Sequence, residues 1–164
     1  MGAHTALTRL RARAPRGRRA VGAAPRNHGP NVTLLATLTP AGIAAGVAVE
    51  GAADRAAFEA FVAQILVPRL VPGQIVVLDN LSVHKGERVR QWIEAAGCRL
   101  LFLPAYSPDF NPIELAFAKL KAHLRRLAAR TFEALLAAIG AALDAIPPAD
   151  AHAFFAHCGF PLTD

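Results

Sequence analysis

Asp79 and Glu114 are the acids in this sequence whose settings suit chemistry. Asp79 ends "QIVVLD", a short apolar, β-branched run that predicts a strand buried on both faces and central in a sheet. The C-terminal edge of such a strand is where ligand sites of α/β sheets gather, and a charge there needs water, a partner or a metal. Glu114 follows "LPAYSPDFNPI", in which Pro104, Tyr106, Pro108 and Pro112 stiffen the approach to a helix. Each acid also has a plain structural explanation. Asp79 suits a turn cap in "DNLSVHK", and Asn111, Pro112 and Glu114 fit the N-cap, N1 and N3 positions of a helix start. That grammar explains a glutamate without catalysis, but it leaves the rigid connection unexplained, and rigidity points to positioning.

The helix that begins at Pro112 adds charge to the picture. Counted from Glu114, positions 118, 121 and 125 fall on nearly one side, so Lys121 and Arg125 share the face of the acid while Phe117, Leu120 and Leu124 face a core. A carboxylate flanked by cations suits a phosphodiester gripped near its scissile bond. A surface Glu–Lys pairing gives the same pattern. The 164 residues carry a formal net charge of +6, which fits a polyanionic partner without identifying one. Much of that charge is concentrated in two places. Arg9, Arg11, Arg13, Arg16, Arg18, Arg19 and Arg26 precede the first acid, Glu50, and Lys119, Lys121, Arg125, Arg126 and Arg130 form a second cluster. A solvated basic face is the ordinary reading of either cluster alone.

The surrounding elements follow from periodicity. "NVTLLATL" and "GIAAGVAVEG" read as a hairpin turning at "TPAG", not as a membrane span, although Asn27 to Val49 holds no charge. "DRAAFEAFVAQILVPRL" predicts one amphipathic helix with Asp54 as N-cap. "GERVRQWIEAAG" predicts a helix closed by Gly97, and "CRLLFLP" a second strand parallel to the one ending at Asp79, giving a βαβ unit. Two helices with apolar stripes come next, Ile113 to Leu127 and Phe132 to Leu143, before a short one around Ala151 to His157. The Arg-rich start reads as a loop, because Pro15, Gly17 and Pro25 interrupt it. With 54% hydrophobic residues and no linker, one α/β domain spanning 1–164 is expected. Cys98 and Cys158 have no ligand-like spacing, which fits a reducing setting, and His152, His157 and Cys158 read as a helix tail.

"VVLDNLSVHK" together with "LFLPAYSPDFNPIELAFAKLK" resembles the catalytic core of DDE transposases of the mariner superfamily, in particular its bacterial insertion-sequence branch. The 34 residues between Asp79 and Glu114 match that family's spacing between its second and third metal-binding acids. The resemblance implies a ribonuclease-H-like α/β fold and metal-dependent DNA strand cleavage and joining in transposition. It implies two Mg²⁺ (or Mn²⁺) ions, roughly 3.5–4 Å apart, with Asp79 bridging them and Glu114 holding one. Asn80, His84 and Asn111 would support the site, and Lys85, Lys121, Arg125 and Arg126 would contact DNA. A turn-stabilising role for Asn80 remains equally open. The implied partners are transposon ends and target DNA, with a homodimer in the full-length protein, no membrane, and a cytoplasmic, nucleoid-associated location in a bacterium.

One departure from the pattern matters. The first acid of such enzymes ends the first, central strand, and "MGAHTALTRLRARAPRGRR" resembles the segment just after that acid. The expectation is therefore a catalytic domain lacking its first strand and its DNA-recognising helix-turn-helix part, inactive or nearly so by itself. A catalytically dead nucleic-acid-binding remnant is the main alternative, and an unrelated α/β protein whose acids are only caps is a third.

Overall fold

The computed structural model describes residues 1–160. A two-residue strand, β1 (Gly2–Ala3), pairs antiparallel with β2 (Val32–Thr39), which forms the expected hairpin with β3 (Gly42–Glu50). Gly42 makes the turn possible. Its φ is +115°, and a Cβ there would stand 2.6 Å from the carbonyl oxygen of Ile146. The threonines and branched residues of β2 alternate between faces. Val32 and Leu34 enter one apolar cluster, and Leu35, joined by Val47 of β3, packs against another.

Asp54 caps α1 (Arg55–Phe61) as expected, its carboxylate accepting the amide of Ala57 at 2.8 Å. The single helix predicted over this region is broken, however. After Phe61 the chain widens into a π turn over Val62–Leu66 and tightens into a 3₁₀ turn over Val67–Arg69. Pro68 supplies the reason: it donates no amide hydrogen bond and its ring crowds the preceding turn, so the ladder shifts and Val67 N–H reaches Val62 instead.

Next come β4 (Ile75–Leu78), α2 (Glu87–Ala95) and β5 (Arg99–Phe102), with β4 and β5 parallel and in register from Ile75↔Arg99 to Leu78↔Phe102. The βαβ unit is as predicted, and Gly97 follows α2 at φ +72°. The central, doubly buried position expected for "QIVVLD" is not found. Among the described residues β4 pairs with β5 alone, and Ile75 is 54% exposed, because nothing hydrogen-bonds to its other edge. Three helices complete the chain: α3 (Pro112–Leu127), α4 (Phe132–Leu143) and α5 (Pro148–His157). Phe117, Leu120 and Leu124 of α3, with Leu135, Ile139 and Ala142 of α4, cover the Leu34 face of the hairpin. Leu127, predicted to extend the stripe of α3, is exposed instead. It lies in the last turn, before Ala128 closes the helix in a left-handed conformation.

No single helix among the described residues is long and apolar enough to cross a membrane. The α4–α5 pair has the length and composition when taken together, but it bends by 80°, and Leu135, Ile139 and Ala142 of α4 and Ala151 of α5 are buried in the core.

Candidate metal and nucleic-acid site

Asp79 sits one residue beyond β4, at the strand edge where the sequence placed it. Its Oδ1 accepts the amide of Leu81 at 3.2 Å, an Asx turn, so the capping role is real. It is also only part of the carboxylate's surroundings. The 3₁₀ turn Ser82–His84 brings His84 Nδ1 into close ion-pair contact with the same oxygen. That buried nitrogen has no aligned hydrogen bond, so the Asp79 carboxylate is the polar group it meets. Two residues of α1 fix the turn from below. The ring of Phe58 stacks on His84 with centroids 4.2 Å apart, and Arg55 donates to the carbonyl of Ser82 at 3.2 Å. Phe58 read in sequence as one more position of an apolar stripe, and no spacing signal distinguished it from its neighbours.

Partial burial pushes the Asp79 carboxyl up, but the contact and charge of His84 oppose this. With the Leu81 amide and the positive amino terminus of the chain, they hold it below its ordinary value. The carboxylate form is therefore favoured. Asn80 makes no side-chain hydrogen bond among the described residues, so the turn-stabilising role left open for it falls to Asp79.

Glu114 lies in the first turn of α3 and is exposed. The helix starts where expected, with Pro112 at its first position, but Asn111 does not cap it through its side chain. Asn111 has the extended backbone of an N-cap, with φ −109° and ψ 100°, and it lines a groove. Glu114 forms neither a capping hydrogen bond nor an ion pair among the described residues, and its amide donates to the Asn111 carbonyl at 3.0 Å. The capping explanation for its carboxylate is therefore not used. Upstream, Tyr106 is fully exposed with φ +56°, a conformation that costs a bulky residue energy. The stiffness inferred from the prolines includes a strained residue there.

Asp79, His84, Asn111 and Glu114 line one groove of about 660 Å³ that runs between β2 and β4. Met1 lines it as well. The amino group of Met1 donates to the Leu34 carbonyl at 2.8 Å, and the Leu34 amide donates to Met1 at 2.7 Å, which carries the β1–β2 ladder one residue further. Among the described residues, the edge of β2 from Leu35 to Thr39 has no strand partner on this side beyond that pair, and neither has the facing edge of β4. Burial lowers the pKa of the amino terminus and Lys121 reinforces this, while the charges of Glu114 and Asp79 oppose it. One ammonium therefore feels both carboxylates. Lys121 and Arg125 of α3 are half-buried and form no ion pair among the described residues. Arg126 approaches His123 at 3.0 Å, Lys119 pairs with Asp150, and Lys85 is exposed just after the His84 turn.

Two carboxylates on one groove are a partial donor set for Mg²⁺, which takes octahedral oxygen ligation. Among the described residues no group of three or more His, Cys, Asp or Glu side chains is placed to hold a metal ion. The groups present do not complete such a site.

Residues 1–136 match the sequence profile of the DDE superfamily endonucleases. The chain belongs to that family. This DDE chain is similar in structure to Mos1 transposase in its strand transfer complex, with a TM-score of 0.72 and 18% identity over 96% of this chain and 49% of that one. The Mos1 paired-end complex with the left transposon end gives 0.74 and 18%, over 96% and 50%. The Mos1 catalytic domain solved with raltegravir and Mg gives 0.58 and 17%, over 79% and 73%. At these identities the likeness establishes the fold, the ribonuclease-H-like arrangement of strands and helices expected from sequence. The DDE chain spans about half the length of the first two Mos1 chains. Comparison with the curated proteins found no match.

Proposed function

We propose that this chain is the body of a transposase catalytic domain that cleaves and joins DNA strands, with Asp79 and Glu114 as two of its metal-binding acids. The observation that carries the reading is that both residues open on one groove in a chain of the DDE endonuclease family. Mos1 transposase has been solved with Mg and with Mn, and either ion suits oxygen ligands of this kind. A bound divalent ion would supply charge for an in-line phosphoryl displacement. The residues of this chain do the remaining work. His84 and the Leu81 amide keep Asp79 ionised and directed, the capped turn on Phe58 fixes that direction, and the rigid start of α3 presents Glu114 from across the groove. Asn80 and Asn111 are supporting groups, and Lys85, Lys121, Arg125 and Arg126 hold the DNA backbone.

The third acid would come from an extended segment seated in the groove. Such a segment, in register with the Met1↔Leu34 pair, satisfies the unpaired edges of β2 and β4 together and ends where the Met1 ammonium meets the fields of Asp79 and Glu114. Without it the 164-residue chain is inactive or nearly so. DNA is the partner, the full-length protein works as a homodimer, and it acts at the nucleoid in the cytoplasm. The second reading, a nucleic-acid-binding remnant without catalysis, is favoured by the incomplete acid set.

The test compares plasmid nicking by the purified chain with nicking by the same chain extended at Met1 by a six-residue apolar strand ending in Asp-Glu, in Mg²⁺ and in Mn²⁺. Metal-dependent nicking by the extended chain alone, abolished by Asp79→Ala and by Glu114→Ala, is the expected result. Nicking by the unextended chain that Asp79→Ala abolishes would overturn the claim of inactivity. Salt-sensitive DNA binding with no nicking in either form would select the remnant.

A further inference from the structure

The segment from Thr8 to Asn27 is absorbed by neither the core nor the groove. It holds seven of the fifteen arginines in the chain, no lysine, and no acid. All seven are exposed, and none makes an ion pair or a side-chain hydrogen bond among the described residues. No regular secondary structure forms between β1 and β2, so the fold gains nothing visible from this charge. Seven like charges without counter-charges repel one another and favour an extended, solvated segment.

The root of the segment, by contrast, is built. Thr5 donates through both its amide (3.3 Å) and its hydroxyl (2.8 Å) to the carbonyl of His28, and the rings of His4 and His28 stand 5.1 Å apart. Arg130, just beyond α3, donates to the carbonyls of Thr5 at 2.8 Å and Leu7 at 3.0 Å. These contacts close a neck, so the residues between 8 and 27 leave and re-enter the body at one place. The neck adjoins the Glu114 face of α3. Burial and His28 hold the His4 imidazole pKa down, and the charge of Lys121 on α3 adds to the effect.

The choice of arginine over lysine is informative. A guanidinium presents a planar fork of donors that matches phosphate oxygens two at a time, whereas an ammonium is a point charge. Arg9, Arg11 and Arg13 alternate, so in extended chain they lie on one side. Successive arginines are then about 6.8 Å apart, roughly two rises along one DNA strand.

We propose that residues 8–27 form an arm that grips the phosphate backbone of duplex DNA, anchored at the His4–His28 neck so that it continues the basic face of α3 beside the groove. This rests on DNA being the partner of the groove, but it requires no cleavage by the chain. The arm reads no bases. Its contribution is to hold a length of duplex at the site through contacts that release counterions.

The test is fluorescence anisotropy with a 30-base-pair duplex across a series of salt concentrations. Three proteins are compared: the chain as it stands, a variant with all seven arginines replaced by glutamine, and one with all seven replaced by lysine. Each engaged phosphate contributes about 0.9 to the slope of log K against log salt, so the glutamine variant should lose about 3 or more from the slope and at least about 100-fold in affinity at moderate salt. The lysine variant should keep most of the slope and bind more weakly. Circular dichroism and thermal melting should be unchanged in both, since the replaced side chains are exposed and make no ion pair or hydrogen bond among the described residues. A slope change below about 1 in the glutamine variant, with duplex binding retained, would overturn the arm and leave DNA as the partner of the groove. Absence of duplex binding by the unaltered chain would overturn both. A loss confined to an RNA duplex, with DNA binding unaffected, would refute the assignment to DNA.

Discussion

Replacing His84 with alanine isolates the contact that sets the state of Asp79. In the folded chain burial acts to raise this carboxyl, and His84 is the largest influence lowering it, ahead of the Leu81 amide and the amino terminus. His84→Ala removes that influence while leaving the Asx turn in place. A charge-assisted contact of this kind is worth about 1.5–3 kcal/mol when shielded from water. The Asp79 side chain keeps 36% of its exposure, so solvent screening brings the figure toward about 1 kcal/mol, somewhat less than one pK unit. The assay is a carbon-detected NMR titration of the Asp79 carboxyl in the two proteins. The pKa should rise in His84→Ala, above its ordinary value if burial then dominates. The depressed folded-state value also fixes the sign for stability. The contribution of Asp79 is fully present above its unfolded pKa, near 3.9, and is lost as pH falls from there through the lower folded value. The variant should therefore lose less stability between pH 4 and the acid limit than the parent. A pKa that stays put or falls in His84→Ala would refute the assignment, and would mean that the close approach of the two side chains carries no energetic weight.

Four variants measured by chemical denaturation probe the frame that holds the site. Gly42→Ala meets both a forbidden φ and the carbonyl of Ile146 at 2.6 Å, and should cost about 3 kcal/mol or more. Ala128→Gly relieves the left-handed residue that ends α3, at φ +50°, and should stabilise by about 1 kcal/mol. Asp54→Ala removes a capping hydrogen bond and should cost about 1 kcal/mol, whereas Asn111→Ala, which removes none, should cost only a few tenths. Equal losses from the last two would show that Asn111 caps α3 after all.

The parts of this fold that local chemistry decides were legible in the sequence. The hairpin came from alternation and a Pro-Gly turn, the βαβ unit from two apolar runs around a helix closed by Gly97, and the α1 cap from Asp54. The break after Phe61 was not, because the periodicity of Phe58, Phe61, Val62 and Ile65 is that of a continuous helix and the disturbance comes from Pro68 further on. The edge position of β4 was not either. An apolar strand reads as central whether or not a neighbour is there to pair with it. Within the candidate site, Asp79 was singled out by its place at the end of an apolar strand and Glu114 by the proline-stiffened approach to its helix, while turn and helix grammar supplied their plainer explanation. The roles of Asn111 and Glu114 in that grammar were not legible, since a residue able to cap need not do so. Phe58 and the Met1 amino terminus enter the site only through tertiary contact, which leaves no spacing behind.

The seam between β2 and β4 has a consequence for the chain in solution. Two rows of amides and carbonyls without a strand partner among the described residues, floored by apolar side chains, form a template on which an extended polypeptide can add hydrogen bonds. A second copy of the chain is one source of such a segment, so self-pairing should grow with concentration. A short β-prone peptide is another. Its presence should raise the melting temperature and suppress aggregation at once, in the manner of a zip closed from outside.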